Sequence, residues 1–264
     1  MGIPRDIIEK DKGLGEYNAL LCYRGSISHN CYVPPTNPNS IDDKDVLAVC
    51  IPPIDYYYGL KEYGSRGTKE IAEIRDNVKW DIVIYEMRKY ISLLEKGNPN
   101  VLFSLWLNPI HYIKRSKIFD LIYDSREIFL GKHIYKAIKG FAAGQRHRMT
   151  HYNFDGYLCG KRKALVDKYG FDCKNAMCLI RILRVGVEFF NDNVFNVERF
   201  DNNELIEIKM GEWGIQRVRD EADRLLKLLD EAYVRSDLPV GPNSDEINKL
   251  CTKVIAEGQK ELYG

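Results

Sequence analysis

The sequence predicts an α+β protein: a mixed sheet with flanking helices over residues 1–125, then an all-helical domain over 126–264. Three observations carry this. Up to about residue 125, short β-rich runs alternate with stretches of helical period. Beyond it, β-rich alternation largely disappears and one helical segment follows another. With 264 residues, 45% hydrophobic and 11% aromatic, the chain has the composition of a folded protein with a sizeable core.

Each element has its own signal. Residues 19–24 read as an amphipathic helix end or a short strand, stopping at Gly25-Ser26. Residues 46–51 are β-rich and stop at Pro52-Pro53; residues 78–85 form another β-like run. Residues 86–96 place Met87, Tyr90, Ile91 and Leu94 on one helical face, with Gly97 as C-cap and Pro99 as stop. Residues 100–107 begin another short helix or strand. Helices follow over 134–149, despite Gly140 and Gly144, then over 161–169, 174–190, 204–210, 213–233 and 245–262.

The charges nearly cancel. Thirty-nine basic and 38 acidic residues give a net charge of +1, which excludes a molecule coated in basic charge. Any charge-driven chemistry rests on local segregation. Residues 1–12 mix charges among apolar residues and do not read as a secretory signal. The longest apolar runs, such as 101–107, fall far short of the roughly 20 residues of a membrane span, so no membrane association is expected. Seven cysteines without a Cys-x-x-Cys pair read as free thiols of a cytoplasmic protein, with no disulfides expected.

The chemistry concentrates in two places. Asp43 and Asp45 precede the apolar run 46–51. In a strand, i and i+2 share a face, so two carboxylates stand side by side and call for a cation between them. Mg²⁺ is held in this way, by one or two carboxylates plus phosphate oxygens. Gly25-Ser26 supplies a phosphate cradle, Gly by close backbone approach and Ser by its amide and hydroxyl. Asp81 lies inside the β-like run 78–85 and either faces solvent at a sheet edge or joins the pair. Three converging carboxylates can hold two metal ions about 4 Å apart.

Gly25-Ser26, then Asp43-x-Asp45, then Asp81 on a later strand resembles the DNA polymerase β-type nucleotidyltransferase superfamily. The runs DIVIYEMRKY at 81–90, LLEKGNPN at 93–100, KGFAAGQ at 139–145, KNAMCLIRILR at 174–184 and KMGEW at 209–213 narrow the likeness. They resemble the RNA-ligase-associated polymerase-like family, in order, over about residues 20–240. The resemblance implies a polymerase β-like nucleotidyltransferase core and metal-dependent transfer of a nucleoside monophosphate from an NTP such as ATP. Asp43 and Asp45 would bind two Mg²⁺ or Mn²⁺ ions. Asp81 would help bind the catalytic ion and orient the acceptor, and Gly25 and Ser26 would hold the triphosphate. The acceptor it suggests is nucleic acid, RNA rather than DNA, with tRNA ends as one form. The chain departs from the family in reading Ser26-Ile-Ser-His-Asn30 where a further Gly is usual, and in a long loop over 31–40 with Pro34, Pro35 and Pro38.

Cations gather in the second half. Lys174 and Arg181, seven residues apart, fall within about 20° on a helix, with Arg184 further round. That helix is apolar nearly all round, so these cations need anionic partners. The partner is either a triphosphate or protein carboxylates such as Glu188 and Asp172. Lys132, Lys139 and Arg146, with Gln145, mark a face that is either a track for a nucleic-acid backbone or a solvated helix surface. The five histidines receive no catalytic role. Tyr56-Tyr57-Tyr58 reads as packing beside Pro52-Pro53 rather than as a base-stacking site. The rival to an enzyme is a nucleotide- or RNA-binding regulatory protein that keeps the fold without turnover.

Overall fold

The computed structural model describes residues 2–37, 40–75, 78–151 and 160–264. Pro38, named above, and Cys159, one of the seven cysteines, lie outside the described residues. Two compact units divide the chain. The first is Met1–Ser28, Asp43–Gly131 and Gly241–Gly264; the second is His29–Asp42 and Lys132–Val240. This differs from a single cut at 125/126. The loop before Asp43 belongs to the helical unit, and the last helix belongs to the sheet unit.

The first unit is built on a five-stranded mixed sheet of order β3-β4-β2-β1-β5. Its strands are β1 (Asn18–Tyr23), β2 (Lys44–Cys50), β3 (Thr68–Arg75), β4 (Val78–Glu86) and β5 (Tyr112–Arg115). β2 and β4 run parallel; the other neighbours are antiparallel. The ambiguous run at 19–24 is therefore a strand. Alternation sends Val46, Ala48, Trp80, Ile82 and Ile84 to one face, where Ile3, Ile7 and Leu14 cover them. The short helix α1 (Arg5–Ile8) precedes β1, and α2 (Gly25–Ser28) and α3 (Asp55–Tyr58) lie in the connections from β1 to β2 and from β2 to β3. α4 (Met87–Glu95), α5 (Pro99–Leu102) and α6 (Lys117–Asp124) follow the later ones. α4 packs on β2 and α6 on β1.

β3, β5 and α6 had no counterpart in the sequence reading. β3 and β5 keep their side chains half-exposed or exposed, so neither shows an apolar stripe. At the cap of α4, Glu86 accepts from the amides of Arg88 and Lys89.

The helical unit holds α7 (Ile134–Thr150), α8 (Gly160–Tyr169), α9 (Cys173–Asp192), α10 (Asn202–Lys209) and α11 (Ile215–Arg235). α9 is its axis, packed by α7, α10 and α11. A Cβ at Gly186 would lie 3.0 Å from Ile138 and 3.1 Å from Leu229, so glycine lets α7 and α11 close on α9. α12 (Ser244–Tyr263) returns to the first unit and packs on α4 and α6. Among the described residues no helix is long and apolar enough to cross a membrane. The six described cysteines are free thiols, and burial pushes Cys22 and Cys50 up to about 12.

Candidate active site

The parallel register of β2 and β4 sets Asp45 directly opposite Asp81. Neighbouring strands lie about 4.8 Å apart, so the two carboxylates stand side by side on one face. Asp43 lies immediately before β2. Lys79, two residues before Asp81, shares that face by alternation. Its ammonium donates to Asp43 Oδ2 at 3.2 Å. Burial pulls the Lys79 pKa down, but the Asp43 hydrogen bond and the charges of Asp43, Asp81 and Asp45 outweigh it, and the net shift is upward. The Arg24 guanidinium lies 3.9 Å from Asp81 Oδ1. β4 is flanked by β2 and β3, so Asp81 is on an interior strand and not at a sheet edge.

The Gly-Ser turn lies against this row. The Arg24 amide donates to the Asp45 carbonyl at 2.9 Å, and the chain then turns through Gly25 at φ 63°. A Cβ there would lie 2.2 Å from Asp45 Oδ2. Glycine thus meets two demands at once, a left-handed backbone and close approach to a carboxylate. Ser26 is buried, and Ser28 Oγ donates to the Gly25 carbonyl at 3.0 Å.

The donor set suits a hard divalent cation. Asp43, Asp45 and Asp81 offer only carboxylate oxygens, the ligands Mg²⁺ and Mn²⁺ prefer. Among the described residues no three His, Cys, Asp or Glu side chains, these aspartates included, group closely enough to hold a metal ion by themselves. Lys79 and Arg24 balance part of the negative charge meanwhile.

In the helical unit the cations of α9 have different partners. Lys174 Nζ lies 3.7 Å from Asp42 Oδ1 and donates to the Ile41 carbonyl at 3.4 Å. Arg184 faces three carboxylates, Glu204 at 2.6 Å, Asp201 at 2.7 Å and Glu221 at 3.4 Å. Arg181 is buried and donates to Nε2 of His29. His29 then carries its proton on Nδ1, which donates to the Val197 carbonyl at 2.7 Å. Among the described residues no carboxylate pairs with Arg181. Glu188 and Asp172, considered above as partners, serve other groups. Glu188 pairs with Arg199; Asp172 caps α9 and pairs with Arg162.

The second basic face is engaged within the unit. Lys139 meets Asp230 at 3.1 Å, Arg146 meets Asp223 at 2.5 Å, Lys132 lies over the Tyr233 ring, and Gln145 is buried. Sequence reasoning missed one feature, a buried ion pair between Lys209 and Asp42 at 2.5 Å. Asp42 sits next to Asp43 and reads as one more loop acid. Lys209 ends a helix, where a lysine is ordinary.

A family model described as "RNA repair pathway DNA polymerase beta family" matches residues 37–188, more than half of the chain. No curated protein matches significantly. Among solved structures, a nucleotidyltransferase-like protein from Exiguobacterium sibiricum aligns at 11% identity and TM-score 0.33, covering 86% of this chain and 73% of that one. The Bradyrhizobium diazoefficiens CD-NTase CdnG, solved with GTP, aligns at 12% identity and TM-score 0.21, covering 98% and 91%. Neither structure is similar enough to bear on the site.

Proposed function

The chain belongs to the RNA repair pathway DNA polymerase beta family, and on that premise we propose that it moves a nucleoside monophosphate from an NTP to an RNA hydroxyl, releasing pyrophosphate. It is a nucleotidyltransferase of polymerase β type. The substrate, the RNA acceptor and the metal requirement are our reading. The observation that carries it is Asp45 beside Asp81 on one sheet face, with Asp43 immediately before β2 and Gly25-Ser26 packed against Asp45.

Asp43, Asp45 and Asp81 would hold Mg²⁺ or Mn²⁺, two ions by family analogy. When bound, the metal neutralises phosphate charge and lowers the pKa of the attacking hydroxyl. The chain's own groups do the positioning. Gly25 leaves room for the triphosphate, and Ser26 offers it an amide and a hydroxyl. Asp81 orients the acceptor oxygen. In the helical unit we assign phosphate contact to Arg181 before Lys174 and Arg184, since it donates to the His29 imidazole rather than to a carboxylate. Lys174 shares Asp42 with Lys209, and Arg184 is matched by three carboxylates. We place the activity in the cytoplasm, a setting that suits free thiols.

The test is incubation with each labelled NTP, Mg²⁺ or Mn²⁺, and RNA, DNA or protein acceptors. Asp45→Asn and Asp81→Asn should each lower transfer by about 10³-fold, the scale of losing a transition-state stabiliser, with thermal stability retained. EDTA should abolish it. Full transfer by Asp45→Asn would remove the metal-site assignment, and transfer confined to DNA or protein would remove the RNA acceptor.

A further inference from the structure

We propose that the cavity between the 52–67 connection and the start of α4 is a second anion site, holding the phosphate group of a bound ligand away from the aspartates. It is an open cleft of about 260 Å³. Four cations line it, Lys61, Arg66, Arg88 and Lys89, against two carboxylates, Glu62 and Glu86. Glu86 is occupied: its oxygens accept from the amides of Arg88 at 2.7 Å and Lys89 at 3.3 Å. Lys61 pairs with Asp55, outside the cavity lining, at 2.5 Å, and the Arg88 guanidinium lies over the Tyr57 ring with Nε 3.9 Å from Glu86 Oε2. Among the described residues no carboxylate pairs with Arg66 or Lys89.

A second observation comes from the backbone. Ser65 and Thr68 exchange amide–carbonyl bonds of 2.8 and 3.1 Å around a two-residue turn. Its central residues are Arg66 at φ 51° and Gly67 at φ 78°. Such a turn favours Asn, Asp or Gly at both positions, and an arginine there is strained. The Gly67 carbonyl accepts from the Glu86 amide at 2.9 Å, and a Cβ on Gly67 would lie 2.9 Å from Lys89 Cβ. The turn is thus pinned to the start of α4, and the strained residue is the one that carries a charge into the cavity. Local strain of this kind collects at ligand sites.

The site is distinct from the aspartate row. Glu86 is five residues beyond Asp81 on β4, about 17 Å at the rise of a strand. Arginine and lysine converging on a small cavity suit a phosphate. Tyr56 on the cavity wall and the exposed Tyr58 offer rings to an attached base. The phosphate could belong to an RNA strand or to a free nucleotide.

The test measures affinity of the full chain for a fluorescein-labelled single-stranded RNA 12-mer, for ATP and for inorganic phosphate. EDTA is present throughout, so the outcome is independent of the aspartate site. Arg66→Asn suits the turn and removes the charge; Lys89→Gln removes the second. The double variant should bind its ligand about tenfold more weakly while its thermal midpoint does not fall. A loss confined to RNA, with a salt slope smaller by one to two contacts, identifies a strand. A loss for ATP or phosphate identifies a free nucleotide or phosphate. Equal affinity of double variant and wild type for all three, or no binding of any by the wild type, overturns the proposal.

Discussion

Replacing Lys209 by methionine should destabilise the helical unit by about 3 kcal/mol. Lys209 and Asp42 have fully buried side chains, and Nζ donates to Asp42 Oδ2 at 2.5 Å and to the Cys31 carbonyl. Methionine keeps most of the apolar stem and deletes the charge. Asp42 would remain buried with the Val33 amide at 2.8 Å and Lys174 at 3.7 Å. Breaking a buried pair from one side costs about 3–5 kcal/mol, and Lys174 holds the loss to the lower end. With a urea slope of about 2 kcal/mol/M, the midpoint should fall by about 1.5 M. Fluorotryptophan labels read by ¹⁹F NMR separate Trp213, in the helical unit, from Trp80 and Trp106, so each unit is followed by itself. Asp42→Asn in the Lys209→Met background should recover about 1 kcal/mol, because the buried carboxylate is gone while Lys174 loses its more distant partner at 3.7 Å. A midpoint shift under about 0.3 M, or a double variant no better than the single, would refute the reasoning.

Three further outcomes are expected. Gly25→Ala adds a Cβ 2.2 Å from Asp45 Oδ2 at a left-handed backbone. It should cost about 1–2 kcal/mol in stability and about 10²-fold in kcat, read by thermal melting and pyrophosphate release. Lys79→Ala removes the cation paired with Asp43, so the half-maximal Mg²⁺ for transfer should fall about threefold, the scale of a half-exposed pair. An unchanged Mg²⁺ requirement would separate Asp43 from the metal. Burial pushes the Asp201 carboxyl up, but Arg199 and Arg184 outweigh it and hold its pKa below 3.8. That stability is complete above the unfolded value near 4 and is lost as pH falls through the lower folded value. Asp201→Asn should therefore flatten the acid limb of the urea midpoint below about pH 4.

The candidate site was legible in sequence because its residues obey local rules. Asp43 and Asp45 stand two residues apart at the head of an apolar run, and Gly25-Ser26 announces a turn. The lateral position of β4 was not legible, since alternation fixes a face but not a neighbour. The parallel pairing that sets Asp45 beside Asp81 spans 36 residues of chain. β3 and β5 escaped because strands with exposed or half-exposed side chains carry no apolar signal. The cations of α9 show the sharper limit. On a helical wheel Arg181 and Arg184 differ only in angle, and each could serve phosphate or a carboxylate. Their partners come from distant segments: Asp201, Glu204 and Glu221 for Arg184, and His29 for Arg181. Three carboxylates discharge Arg184 inside the protein. Arg181 meets an imidazole, and nothing in the helix period tells that partner from a carboxylate.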